Sequence, residues 1–167
     1  MKISGRSIKR RLALWGNRLS RTKHFRGHGV HSPFVYGFVR KVLMCKSLFE
    51  GTETALYDTL RAREVAERRA RELHNTLHYI EGESFSINAV KGALSILLAD
   101  YPTELLGEAY DKAKAEGLAL AIYQPYLNGE RQRVVKSLLD SHRSTSIDNR
   151  AYVLFLNNTL PKQHYRL

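Results

Sequence analysis

A single cysteine, Cys45, stands in the 167 residues, which leaves no partner for an internal disulfide and no thiolate set for a zinc centre. No apolar run approaches the roughly 20 residues that a bilayer-spanning helix requires. The basic N-terminus also lacks the continuous apolar stretch of a secretory leader. Both absences point to a cytoplasmic chain with no transmembrane segment. There is no internal repeat, which excludes a solenoid, and no low-complexity tract. The first 49 residues contain no Asp or Glu; the first carboxylate is Glu50.

What is present is enough apolar sequence for a core and an uneven charge. Apolar residues make up 43% of the chain, which argues against wholesale disorder. The length suits one domain, or one domain with an arm. Net charge is +11, and residues 1–49 hold 12 of the 27 Lys and Arg. Residues 50–167 carry 15 basic and 16 acidic side chains. A near-neutral body therefore follows a strongly cationic N-terminal third.

Within that third, residues 7–21 place Ile8, Leu12, Trp15 and Leu19 on one helical stripe. Lys9, Arg10, Arg11, Arg18 and Arg21 cover much of the rest. Such a helix suits an anionic partner, and equally a helix that packs its stripe on the protein body. Residues 22–31 (TKHFRGHGVH) have loop chemistry. Ser32-Pro33 reads as an N-cap and first helical residue. It opens a helix on Phe34, Val35, Phe38, Val39, Val42 and Leu43 that ends in the 46–51 region. Residues 53–80 read as helical with a break near 59–61. Ala62, Val65, Ala66, Leu73, Leu77 and Ile80 form the buried side, and Glu64/Arg68 and Glu67/Arg71 are i,i+4 pairs of a solvated face.

From residue 84 the period changes. Residues 84–89 and the apolar run 93–99 have strand length, with a helix over 88–99 as the competing assignment. Thr103 is placed to cap a helix over 104–116 that stops at Gly117. Residues 118–123 (LALAIY) are the best buried strand. Pro125 and Asn128-Gly129 form a loop before a helix over 130–142. Residues 146–157 read as one strand and 162–167 as another. The order predicts an α/β fold, with N-terminal helices and 118–123 as a central parallel strand between 93–99 and 146–157. The last two strands are expected to form an antiparallel edge hairpin.

The stretch His28-Gly29-Val30-His31-Ser32-Pro33-Phe34-Val35-Tyr36 resembles the N-terminal signature of a bacterial family of Rossmann-type, SAM-dependent methyltransferase-like proteins. Those begin with a basic arm, an HGxHSPFVY stretch and a helix. The C-terminal end is similar to the family's as well, in LALAIYQP at 118–125, STSID at 144–148 and KQHYRL at 162–167. The resemblance makes His28, His31, Ser32, Pro33 and Tyr36 family-motif residues and implies a Rossmann-like sheet. The middle of the chain departs from the family. A SAM-binding domain needs a Gly-rich turn after its first strand and an acid after its second. Residues 81–100 offer only Gly82 and Gly92, no E-x-G-x-x-x-G pattern occurs anywhere, and Gln124-Pro125 replace the acidic pair expected after 118–123. The expectation is a shortened, degenerate member. Its parts are a basic arm over 1–31, a helical region over 32–80 and a reduced α/β Rossmann-like domain over 81–167.

Other chemistry is sparse. His24, His28 and His31 share a loop without an acid or thiol nearby to complete a metal site. His74 and His78 have helical i,i+4 spacing, but Asn75 follows where a metalloprotease has Glu, so a solvated face is expected. Cys45 is expected as a small buried hydrophobe. His142, Ser144 and Asp148 are close in sequence but lack a nucleophile-elbow pattern. No catalytic residue and no metal ligand are assigned. The functional reading is a catalytically inactive methyltransferase-like protein without cofactor. Its Lys9, Arg10, Arg11, Arg18, Arg21, Lys23 and Arg26 contact an anionic partner such as RNA. Trp15, Phe25, Phe34 and Tyr36 are interleaved for stacking on bases, although neither an RRM nor a KH pattern is present. One alternative is an active SAM-dependent methyltransferase with a non-standard pocket at Asn88, Tyr123, Gln124 and Asn128. Another is a structural subunit whose protein partner completes the sheet.

Overall fold

The computed structural model describes residues 32–50, 53–157 and 160–167. Helix α1, Pro33–Phe38, starts as its cap dictates: Ser32 Oγ accepts the Val35 N–H at 3.4 Å and Pro33 takes a position whose N–H has no intrahelical partner. It runs on into a π-helical turn, Val39–Leu43, and ends there, short of the 46–51 region. Val35, Phe38, Val39 and Val42 are buried.

Helices α2, Ala55–Ala62, and α3, Glu67–Tyr79, follow. The break between them lies at 63–66 and not at 59–61. The Arg63 and Val65 N–H groups both turn back to Leu60 O, and Glu64 adopts φ 59° to allow it. Glu64 is thereby outside any helix, and Arg68 pairs with Glu72 in its place, at 2.9 Å. Glu67 and Arg71 do approach, at 3.9 Å. Residues Glu72 to Leu77 are all buried, because α2, the π-helical turn and the sheet pack around this half of α3. His74 is consequently fully buried, with its ring 4.6 Å from that of half-buried His78, and is not on a solvated face.

Six strands form one mixed sheet: β1 Phe85–Ile87, β2 Leu94–Leu97, β3 Ala119–Tyr123, β4 Thr145–Asp148, β5 Tyr152–Phe155 and β6 Gln163–Arg166, in the order β1-β2-β3-β5-β4-β6. β1, β2 and β3 are mutually parallel, and β5 alone runs against its neighbours. The architecture is the expected α/β, Rossmann-like one, with β3 central. The hairpin is displaced by one strand from its expected place. Residues 146–157 are not a single strand: Asp148 Oδ1 accepts from Arg150 N, Asn149 Oδ1 accepts from Ala151 N and Tyr152 N, and Arg150 takes φ 73°. That side-chain-closed turn folds β5 back on β4, and β6 then adds parallel to β4, with Ile147 opposite Tyr165.

Between β2 and β3, a 3₁₀ turn over Thr103–Leu105 leads into α4, Leu106–Ala115, and between β3 and the hairpin α5 spans Gly129–Ser141. Thr103 caps neither the turn nor α4 with its side chain. Side chains alternate across the buried strands. Leu94, Ile96, Ala119, Ala121, Tyr152 and Leu154 face α1–α3, while Leu97, Leu120, Ile122, Val153 and Phe155 face α4 and α5. Helices thus cover both faces, and the carboxyl ends of β1, β2, β3, β4 and β6 share one edge.

Candidate functional site

In open α/β sheets, ligands settle outside the carboxyl ends of the strands. At that edge a crevice of about 510 Å³ opens between the α2–α3 turn and the ends of β2 and β3, lined by Arg63, Glu64, Asp100, Tyr123 and Gln124 among others. Backbone strain gathers here. Glu64, Asn88, Gln124 and Arg150, at φ 59°, 53°, 48° and 73°, are four of the five non-glycine residues with positive φ among the described residues. Such conformations cost of order 1–3 kcal/mol each and persist only where the surroundings over-determine them.

The surroundings do so through polar side chains turned inward. Asn88 Oδ1 accepts the Leu98 N–H at 2.8 Å, and its amide donates to Asp100 Oδ1 at 2.9 Å, which locks the end of β1 to the end of β2. Ser86 Oγ lies within hydrogen-bond distance of Ala89 O, Lys91 O and Ser95 Oγ, and so fixes the whole β1–β2 connection. Arg131, fully buried in the first turn of α5, donates to Leu98 O at 2.8 Å, Tyr101 O at 2.9 Å and Tyr123 O at 3.2 Å. Burial lowers the pKa of its guanidinium, and the nearby Asp100 carboxylate opposes that shift.

Of the four residues named for a non-standard pocket, Tyr123 and Gln124 line the crevice and Asn88 stands behind it through Asp100. Asn128 does not join them: its side chain accepts the Arg131 N–H at 2.8 Å as the cap of α5. The glycines test whether S-adenosylmethionine fits. A Cβ on Gly82 would meet Leu77 Cδ1 and Ala93 Cβ at 2.7 and 2.8 Å, and one on Gly92 would meet Ser84 backbone at 3.1 Å. Both glycines make room for the protein's own packing and open no cradle for a cofactor. The residues present do not fit that group.

The remaining sequence candidates divide as follows. Lys9, Arg10, Arg11, Arg18, Arg21, Lys23, Arg26, His24, His28 and His31 lie outside the described residues. Ser32 and Pro33 start α1, and Tyr36 is 47% exposed. Cys45 is half-buried past the helix end, with Sγ 3.3 Å from Ser47 O, and is not a core residue. His142 meets Phe155 edge to face and bonds through Nδ1 to Tyr110 Oη at 2.9 Å, Ser144 Oγ donates to Leu160 O, and Asp148 accepts from Tyr126 and Arg150. These three form no triad. Among the described residues no group of three or more His, Cys, Asp or Glu is placed to hold a metal ion. None of their helices is long and apolar enough to cross a membrane. Arg131 and Ser86, the residues that organise this edge, carry no pattern by which the sequence announces them: each is a single polar residue in an ordinary helical or strand context. Comparison with protein-family models, curated proteins and solved structures yields no match to this chain.

Proposed function

We propose that this chain is a shortened, non-catalytic relative of the Rossmann-type methyltransferases. Its basic arm, residues 1–31, binds a polyanion such as RNA in the cytoplasm. One observation carries the reading: 12 Lys and Arg and no acid in residues 1–49, beside a balanced body. A segment of that composition attracts phosphate backbones without a base-reading module. The carboxyl edge supports the non-catalytic half. Asn88, Asn128 and Arg131 spend their polar groups on the protein's own backbone and side chains, and Gly82 before β1 and Gly92 before β2 face the chain's own atoms.

Anisotropy of a labelled single-stranded RNA tests the arm. If six of its cations reach phosphates, log K should fall with log[salt] at a slope of roughly −4. Replacing Arg10, Arg11 and Arg18 by Gln should flatten that slope by about two and leave the melting temperature nearly unchanged. Absence of binding at physiological salt, with a lower melting temperature in the triple variant, would mean that the arm docks on the protein itself. Calorimetry with S-adenosylmethionine tests the other half, and a micromolar isotherm would replace this reading with a working methyltransferase.

A further inference from the structure

Away from the crevice, a second cleft of about 490 Å³ lies between the π-helical turn and α3. Its apolar wall is Val39, Leu43, Met44 and Leu167, and its cationic wall is Lys46, Arg68, Arg69 and Arg71. The π-helical turn makes the apolar wall. Met44 N bonds to Val39 O, five residues back, at 3.0 Å, and the wider turn brings Val39, Leu43 and Met44 to one side. Such turns recur at functional sites because they break the regular presentation of side chains.

The cations are not equivalent. Arg68 and Arg69 are committed to Glu72, fully buried beneath them, at 2.9 and 2.6 Å. Arg71 comes no nearer than 3.9 Å to Glu67; its side chain is 18% exposed, and its Nε is buried with no hydrogen-bond partner among the described residues. A buried donor left unmade is costly, and an acceptor placed there removes the cost. Lys46 stands exposed on the same wall, with no ion pair among the described residues. The occupant is therefore anionic. The adjoining aliphatic wall asks for an aliphatic body, and the volume falls in the range of small-molecule sites.

The geometry points to a binding site for an amphipathic anion, a phosphate monoester or carboxylate on an aliphatic chain. Its head lies on Arg71 and Lys46, and its chain lies along Val39, Leu43 and Met44. Calorimetric titration of the full-length chain with dodecyl phosphate, below its micelle point, tests this. The expected result is one saturable site at least about tenfold tighter than for inorganic phosphate, weakened about tenfold by Arg71→Gln and by Lys46→Gln. Lys46 is a surface residue, so its variant folds whatever Arg71→Gln does. The Arg10, Arg11, Arg18→Gln variant should bind dodecyl phosphate like the parent, which separates failure of this site from failure of the arm. Phosphatidylglycerol vesicles distinguish the sources: co-sedimentation lost in Lys46→Gln assigns the head to a bilayer, and soluble binding without vesicle capture assigns it to a free ligand. Equal affinity for dodecyl phosphate and inorganic phosphate, or unchanged binding in both groove variants, overturns the assignment.

Discussion

Replacing Arg131 measures how much of the carboxyl edge rests on one side chain. The guanidinium is fully buried and donates to three backbone carbonyls, Leu98 O, Tyr101 O and Tyr123 O, from two adjacent strand ends. Hydrogen bonds from a charged group contribute about 1.5–3 kcal/mol each, so three amount to at least about 4.5 kcal/mol. Against this stands the cost of holding a cation out of water, several kcal/mol. Arg131→Met keeps the aliphatic stem and removes both effects, for a net loss of about 2–3 kcal/mol. Arg131→Lys keeps the buried charge but has no planar fork to span three acceptors. The Lys variant should thus be at least as unstable as the Met variant, the reverse of a charge-conservation expectation. At about 2–4 °C per kcal/mol for a chain of this size, both should melt roughly 5–10 °C lower by circular dichroism, with matching shifts in urea midpoint. A Met variant within about 0.5 kcal/mol of the parent, or a Lys variant clearly more stable than Met, would refute the account.

Ser32→Ala should cost about 0.5–1 kcal/mol, toward the low end for a cap because the Ser32–Val35 bond is long at 3.4 Å, and a urea midpoint unchanged within error would count against a capping role. Acid should destabilise the fold before most carboxylates titrate. Burial, then the neighbouring His78, lowers His74 from the usual 6.5 to about 4 despite Asp58, and burial also lowers His78 and His142. The unfolded chain then binds more protons below 6.5, so the stability these groups contribute is complete above 6.5 and is lost as pH falls towards about 4. At about 1.4 kcal/mol per pH unit, His74 alone accounts for up to about 3 kcal/mol. Melting temperatures at pH 7.5 and 5 check the sign, and equal values would show that these rings protonate freely in the folded state.

The fold was legible where periodicity and punctuation agree. Ser32-Pro33 marks the start of α1, the LALAIY run marks the central strand and Gly117, at φ 69°, marks the end of the helix before it. The hairpin was misplaced because Tyr152–Phe155 continues the strand-forming character of Thr145–Asp148. The turn between them is made by Asp148 and Asn149 side chains without a glycine. His74 was misplaced for a different reason: amphipathic reading assumes one wet face, and the second half of α3 has none. The π-helical turn could not be read at all, since Val35, Phe38, Val39 and Val42 satisfy an α-helical stripe equally well.

The site was less legible than the fold because its decisive feature is a connection and not a residue. Parallel neighbours ordinarily require a crossover of a dozen or more residues, usually with a helix. Here β1 and β2 are parallel and adjacent, yet only residues 88–93 join them. Six extended residues reach about 20 Å, and a three-residue strand takes up about 10 Å of that. The short link therefore limits β1 to Phe85–Ile87, the length observed. It also has to turn back at once, which explains the left-handed backbone at Asn88 and Gly92 and the convergence of bonds on Ser86 Oγ. A crossover helix at this position would present free backbone N–H groups at the carboxyl edge. The link instead spends its polar groups on closing itself. The absence of an anion-receiving turn between β1 and β2 and the shortness of β1 thus have one cause.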